Sequence, residues 1–559
     1  MAYLKSKTLF FTTSPRTPLK MIPEIEALSN GFEGKEWNTG TQIEFIKVLA
    51  EGKDFQGEGS AKEMAFSARD RINRAPKALG FVDLKPKIRL TGPGKNFISG
   101  KRTEEVLLRQ LLKFQLPSPY HMEQIQIKGV FGVKPYLEIF RLIYELGSVS
   151  FDELMIFGMQ LTHYTKFEEV CAQIQYFRRL KSYASESYKM YRGEYLRKEI
   201  EKIYGDEIVK GNTQTRESKD RSLDKFVRTK ASNLRDYTDA CFRYLRATGL
   251  VEISQKGHSI SIMPEKNKEV EFFLNEIDRK PVFVDDVERY KEYLFDEALP
   301  VLYSDDRERL IGQIEEVLGT VDHVEEETTE QLKDKLDAAI LNRKALFIEQ
   351  QIKELKEYRK YNDVMNTFED IKSNKLYDVP LMLEWNVWRA MTMLDGGEIK
   401  ANLKMDDKGQ PMSTAQGNMA DIICDYGDFG LAVEVTMQSG QRQYEMEGEP
   451  VSRHLAKLKK ETGKEAYCLF IAPKINEACI AYFYALHTTN IAFYCGQSVI
   501  VPLELDVFIQ MVKQSYKASH IPNSEQIKEL FEYSLEQAKL SQDEKEWYAR
   551  IKNKAINWL

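Results

Sequence analysis

A chain of 559 residues with 42% hydrophobic and 30% charged residues has the make-up of a globular protein, and its length suits ~3–4 domains. No apolar run approaches the ~18–20 residues of a membrane span, and the start MAYLKSKTLFFTTSPR has no signal-peptide pattern, so no membrane partner is expected. The formal net charge of −6 hides an asymmetry: residues 1–265 hold 43 Lys+Arg against 33 Asp+Glu, residues 266–375 hold 18 against 28, and residues 376–559 hold 19 against 25. A basic first half joined to an acidic remainder suits a polyanion-binding module attached to something else. The six cysteines, at 171, 241, 424, 468, 479 and 495, form no CxxC pair and mostly sit in apolar runs. They read as reduced core residues of a cytoplasmic protein, without a disulfide frame or zinc site.

Two segments of the basic half resemble each other. The first runs from Ala68-Arg69-Asp70-Arg71 through Gly80-Phe81-Val82 to Lys87-Ile88-Arg89-Leu90, the second from Leu234-Arg235-Asp236-Tyr237 through Gly249-Leu250-Val251 to His258-Ser259-Ile260. Each reads as a helix, a Gly that stops it, and two short strands. That order is the back half of a winged helix, which docks a helix in the major groove and a basic hairpin on the backbone. Candidate DNA contacts are Arg69, Arg71 and Arg74 in the first unit and Arg235, Arg243 and Arg246 in the second. Between them, Leu142 to Gly147 followed by Ser150-Phe151-Asp152-Glu153 predicts a helix, a Gly stop and a new helix capped by Ser150, compatible with a separate helix-turn-helix. The polar stretch 183–230 ends in Arg221, Lys225, Arg228 and Lys230, which suit a phosphate-tracking cluster or a solvated helix face.

Residues 266–375 carry long charged helical patterns, with Leu332, Leu336, Ala339 and Ile340 at helical spacing and an acidic run Val324-Glu325-Glu326-Glu327. They are expected to form a helical linker. From residue 376 the pattern changes to an apolar helix containing Glu384, a polar loop, a hairpin, and strands Tyr467–Ala472, Ile491–Tyr494 and Val499–Leu503, followed by two helices. Strands alternating with helices argue an α/β domain over 376–559.

The hairpin DIICDYGDFGLAVEVT, residues 421–436, is the most informative stretch. Gly427-Asp428 is a two-residue turn signal, so Asp421 falls opposite Glu434, on one face and ~5 Å apart. Two opposed carboxylates in an apolar hairpin repel each other unless a divalent cation lies between them. Asp421, Glu434 and the carbonyl of Val435 are candidate Mg²⁺ ligands; Glu384 or Glu447 is a candidate for a second ion or for orienting water. A helix is expected to start after Pro450, and its Arg453 or His454 is placed to hold a phosphate.

The stretches Ala415-Gln416-Gly417-Asn418, Asp421, Val433-Glu434-Val435-Thr436, Glu447-Gly448-Glu449-Pro450-Val451-Ser452-Arg453-His454 and Cys468 to Asn476 resemble the AlwI-like family. So do Ser14-Pro15-Arg16-Thr17-Pro18, Phe32-Glu33-Gly34, Phe66 to Arg71 and Ile203-Tyr204-Gly205. These are bacterial Type IIS restriction endonucleases and the large subunits of related nicking endonucleases. The resemblance implies winged-helix recognition subdomains over 1–265, the helical linker, and a PD-(D/E)XK-like nuclease domain. It implies cytoplasmic binding of double-stranded DNA at a short asymmetric site and Mg²⁺-dependent cleavage outside it. By motif, Asp421, Glu434 and Glu447 are the acidic site residues, with Glu384 and His454 as companions. Two positions depart from the wider superfamily: Ala420 stands where Pro is usual, and Thr436 where Lys is usual. Cutting of both strands through a transient dimer, nicking with a small second subunit, and a non-catalytic winged-helix regulator remain three readings.

Overall fold

The computed structural model describes the chain except residues 1, 5, 52–60, 124–128, 184, 320–325, 395, 407, 415–418, 519 and 521. The 415–418 motif and half of the acidic run at 324–327 therefore lie outside the described residues. The chain forms two compact units, Met1–Lys335 and Leu336–Leu559. The segment expected to be a separate linker is thus divided between them.

The first unit is mostly helical. The two related segments each fold as sequence pattern suggests: helix Ala61–Ile72 precedes the antiparallel pair Val82–Asp83 and Arg89–Leu90, and helix Leu223–Arg246 precedes Val251–Ser254 and Ser259–Ile262. The glycines between helix and strand, Gly80 and Gly249, have φ of +79° and +70°. The middle segment is not a separate module. Its short strand Val149–Ser150 pairs with Ser259–Ile262, so it supplies the third strand of the sheet of the second related segment. The helix after it starts at Ser150, whose hydroxyl accepts from Glu153 N while the Glu153 carboxylate accepts from Ser150 N, a reciprocal cap. The Ser14–Pro18 motif docks on helix Leu223–Arg246: Tyr244 OH donates to the Pro15 carbonyl and Arg16 pairs with Asp236 at 2.7 Å.

A charge quartet, its two cations buried and its two carboxylates half-buried, ties the early linker helices into this unit. Arg109 Nη2 lies 2.7 Å from Glu105 and 2.6 Å from Asp305, and Lys333 Nζ lies 2.8 Å and 2.7 Å from the same two carboxylates. Each ion thereby has two partners of opposite sign, which compensates for its removal from water.

The second unit is built on a mixed five-stranded sheet: β1 Glu398–Ala401, β2 Ile422–Asp425, β3 Phe429–Val435, β4 Glu465–Ala472 and β5 Ile500–Glu504, in the order β5-β4-β3-β2-β1. Strands β3, β4 and β5 run parallel, and β2 is antiparallel to both neighbours. Helix α1 Val379–Leu394 packs on β1 and β3; α2 Gln441–Thr462 crosses from β3 to β4 and lies on both; α3 Glu477–Thr488 crosses from β4 to β5. Three helices follow, α4 Leu505–Lys517, α5 Ser524–Leu540 and α6 Glu544–Ile556, where two were expected. The expected polar loop after α1 contains β1 and a second hairpin, Leu403–Met405 with Pro411–Thr414. Ile491–Tyr494 is not a strand: Ala492–Tyr494 is a single 3-10 turn, closed by Cys495 with φ of 58° and Gly496 with φ of 100°.

Candidate active site

All seven residues of β3 are buried, as a central strand requires, and Glu434 on it is only 5% exposed. The ladder pairs Ile422 with Val433 and continues in register to Asp425 with Gly430. The next step outward sets Asp421 against Glu434. The register is held by the turn: Gly427, at φ +89°, takes a left-handed conformation open to glycine, and its N–H donates to Asp425 Oδ1 at 2.9 Å. Beyond the ladder, Val435 N donates to Asp421 Oδ2 at 2.7 Å and holds this carboxylate at the carboxyl end of β3.

Helix α2 brings the other groups. It begins at Gln441, well before Pro450, and continues through that proline. Glu447 is therefore helical rather than in a loop. It lies two turns before His454, on one helix stripe with buried Val451 and Leu458. Leu458 reaches within 3.4 Å of the position a Cβ would take at Gly430, so this stripe faces the Asp421–Glu434 side of β3. His454 Nδ1 is 2.7 Å from Glu434 Oε1, and the Thr436 hydroxyl, which accepts from Gln438 N at 3.1 Å, is close enough to Glu447 to lower its pKa.

The electrostatics follow from burial. Burial raises the pKa of Asp421 well above the ordinary carboxylate range, the charge of Glu434 raises it further, and the Val435 hydrogen bond opposes both. Burial and then the Glu447 charge raise Glu434, against the pull of Arg453. Glu447 is raised by burial, against the neighbouring Thr436 hydroxyl and His454. Burial and the Arg453 charge lower His454 to about 4, so its contact with Glu434 is a hydrogen bond of a neutral ring rather than an ion pair. Glu384 is half-buried on α1.

Among the described residues there is no cluster of three or more His, Cys, Asp and Glu that could hold a metal. The available set is two opposed carboxylates and neighbouring backbone oxygen. Hard oxygen donors, few in number, fit Mg²⁺, which keeps several waters.

The expected DNA-contact arginines divide. Arg246 is buried, 6% exposed, which removes it from any groove edge. Arg71 is bound to Glu24, itself buried, and Arg69 donates to Gln42 at 2.8 Å. Arg74 pairs with Asp70, Arg243 with Asp239 at 3.1 Å, and Arg453 with Glu449 at 3.3 Å. Arg235 is exposed, and with Lys225 and Arg228 it forms one outward stripe of helix Leu223–Arg246. The spacing of these three was readable from sequence once a single helix spans 223–246. Lys230 turns away, over the ring of Tyr204 at 4.4 Å. The nearness of Thr436 to Glu447 had no signal in sequence, because it depends on how α2 docks.

The family model of the AlwI restriction endonuclease matches residues 77–511. The chain belongs to the AlwI restriction endonuclease family. Family membership makes it a nuclease. Among solved structures, the chain is similar to the small subunit of the heterodimeric restriction endonuclease R.BspD6I, at 27% identity and TM-score 0.30 over 34% of this chain and 98% of that one. It is also similar to the BpuJ1 endonuclease binding domain, described in complex with modified DNA, at 13% identity and TM-score 0.35 over 52% and 96%. Restriction endonuclease FokI matches at 12% identity and TM-score 0.23 over 84% and 82%. No curated protein matches. Among the described residues, no helix is long and apolar enough to cross a membrane.

Proposed function

We propose that this family member is a Type IIS endonuclease that binds a short asymmetric DNA site through its first unit and hydrolyses phosphodiester bonds outside it through its second, with Mg²⁺. The observation that carries the reading is the buried pair Asp421–Glu434, set in register at the end of β3 with the Glu447 charge bearing on both. The helix-plus-hairpin segments of the first unit support winged-helix recognition, and the mixed sheet of the second supports a PD-(D/E)XK-like core.

In this reading Asp421, Glu434 and the Val435 carbonyl hold Mg²⁺. The ion supplies Lewis-acid polarisation of the phosphate and a more acidic water. Val435 N fixes the Asp421 carboxylate, and His454 fixes Glu434. Glu447 would take a proton from the attacking water, a role its pKa, raised by burial, supports. Glu384 is a companion on α1. Arg453 steadies the scissile phosphate.

Incubation of supercoiled plasmid with the full chain and Mg²⁺ tests this, with run-off sequencing of the product. Discrete breaks at a fixed offset from one sequence are expected, and Asp421→Asn should abolish them while retaining DNA binding. Equal cutting by Asp421→Asn would rule the site out. One carboxylate pair per chain among the described residues suits a double-strand break completed by a transiently recruited second copy; accumulation of only open-circular product would instead favour a nicking subunit that needs a small partner.

A further inference from the structure

Two residues at the carboxyl ends of the central strands have no part in the reading above: Gln443, in the first turn of α2, and Lys474, just past β4. Gln443 is fully buried. Its Nε2 donates to the Gln438 and Lys474 carbonyls, both at 2.9 Å, and its Oε1 accepts from Asn476 N at 2.6 Å. Residues 436–440 lead out of β3 and residues 473–476 lead out of β4, so one side chain fastens the two exits to each other and to α2. Thr436 N, donating to the Ile471 carbonyl at 3.0 Å, adds a backbone bond between the same exits. A buried amide with three backbone partners is costly to lose, because each partner is then left unpaired.

These exits border the carboxylates. Strands β3 and β4 are parallel, with Glu434 paired to Phe470 and Val435 to Ile471. Lys474 is four residues beyond the partner of Glu434, so the two Cα atoms lie within roughly 14 Å even for a fully extended chain. The chain turns instead into α3, which Asn476 caps. Helices α2 and α3 touch, with the Tyr444 and Tyr482 rings 6.0 Å apart, so both cover one face of the sheet. His454 of α2 meets Glu434 on that face. Gln443 lies four residues before Glu447, on the same stripe of α2 and about 6 Å from it along the axis. The backbone of Lys474 is thus held at the strand ends, and on the sheet face, where the carboxylates stand.

Charge balance favours a cation at this place. Asp421, Glu434 and Glu447 are acidic, His454 is neutral, and Arg453 shares its charge with Glu449. DNA brings further negative charge, and the phosphate oxygens gain more as water attacks. Lys474 is exposed, and its amine has no ion-pair partner among the described residues. An ammonium without a carboxylate partner gives its whole charge to a phosphate.

We propose that Lys474 contacts the substrate phosphate at the cleavage site and that Gln443 is the positioning residue that holds it there. The proposal rests on the nuclease reading above and adds to it a side chain that meets the charge developing on the phosphate oxygens. The role is electrostatic, and no bond to Lys474 forms or breaks.

The test uses the full chain and its variants Lys474→Gln, Lys474→Arg, Gln443→Leu and Gln443→Leu/Lys474→Gln, with Lys539→Gln, exposed on α5, as control. Single-turnover cleavage of plasmid is followed with Mg²⁺ and saturating protein. Affinity for a short duplex of arbitrary sequence is measured by anisotropy in EDTA over a range of KCl. Lys474→Gln should cut ~10²-fold more slowly, the loss typical of one donor aimed at developing charge. Its slope of log K against log salt should fall by ~0.9, the effect of one phosphate contact. Lys474→Arg should recover most of the rate and all of the slope, and the control should match the wild type. Gln443→Leu should also be slow, and the double variant no slower than Lys474→Gln, since a positioning residue then has nothing to position. A wild-type rate or a wild-type slope in Lys474→Gln overturns the proposal, and fully additive losses in the double variant overturn the role of Gln443. Lys474 is exposed, so its variants decide the phosphate contact even where Gln443→Leu fails to fold. A wild type that cuts no plasmid in Mg²⁺ sinks the nuclease reading instead, and the EDTA slopes still decide the phosphate contact.

Discussion

Asp421→Asn should stabilise the metal-free protein, increasingly so as pH rises. The substitution keeps the size of the side chain and removes one of two opposed, buried carboxylates. Asp421 has a folded pKa raised first by burial and then by Glu434. A raised acid binds its proton more tightly in the folded chain than in the unfolded one. Its ionisation therefore costs nothing below the unfolded pKa of ~3.9 and removes stability as pH rises above it, until the folded pKa is passed. Each such group makes stability fall by at most ~1.4 kcal/mol per pH unit in that window. For a unit of this size that slope corresponds to ~3–5 °C in Tm per pH unit. The loss of the Asp421 charge also relieves Glu434, so the variant gains on both groups. Mg²⁺ acts in the opposite sense on the wild type: at a hundredfold excess over its Kd it adds ~2.7 kcal/mol, and much less to the variant. Differential scanning calorimetry in EDTA and in Mg²⁺ from pH 4 to 8 reads all four curves. Wild type and variant melting in parallel across pH in EDTA, or gaining equally from Mg²⁺, would refute the account of a strained carboxylate pair relieved by a cation.

Other expectations follow from the same geometry. Glu447→Gln should lower the cleavage rate ~10²–10⁴-fold with DNA affinity unchanged, and Thr436→Val should lower it less, in single-turnover assays. Arg235→Gln should lower the salt slope of DNA binding by ~0.9, whereas Arg246→Ala should lower the Tm and leave the slope alone, since Arg246 is buried. Glu105→Gln leaves Arg109 and Lys333 sharing Asp305 alone, and should destabilise the first unit by ~3–5 kcal/mol in urea titration.

The hairpin register was legible because two local rules agree there: a Gly-Asp turn and a strand period of two, which together place Asp421 opposite Glu434. The N-cap at Ser150 was legible for the same reason, as a cap depends on a few consecutive residues; its reciprocal bond with Glu153 appears only in the structure. Helix α2 was not. Pro450 reads as a helix start, because within a helix it removes a hydrogen bond and costs ~3 kcal/mol. The turns before it are held by buried Gln443, whose Nε2 donates to the Gln438 and Lys474 carbonyls at 2.9 Å, and by buried Gly448. Ile491 to Tyr494 has a strand's composition, yet the left-handed residues Cys495 and Gly496 close it into a turn before it pairs with the sheet. The sheet that joins Val149 to Ile260 was hidden because its partners are far apart in sequence. Arg246 illustrates the limit for binding residues: its position in the motif is visible, but which helix face is buried is decided by packing.

The two-residue turn at Gly427-Asp428 limits how this chain tolerates change. Strand faces alternate with each residue, so turn length sets which face Asp421 occupies. One extra residue between Gly427 and Asp428, absorbed by a slip of β2 along β3, turns Asp421 to the far side of the sheet and puts Ala420 or Ile422 in its place. The apolar core tolerates such a slip poorly, because Ile422 and Cys424 are fully buried. Loop length here is therefore under the constraint usually reserved for a catalytic side chain, although neither turn residue touches the chemistry.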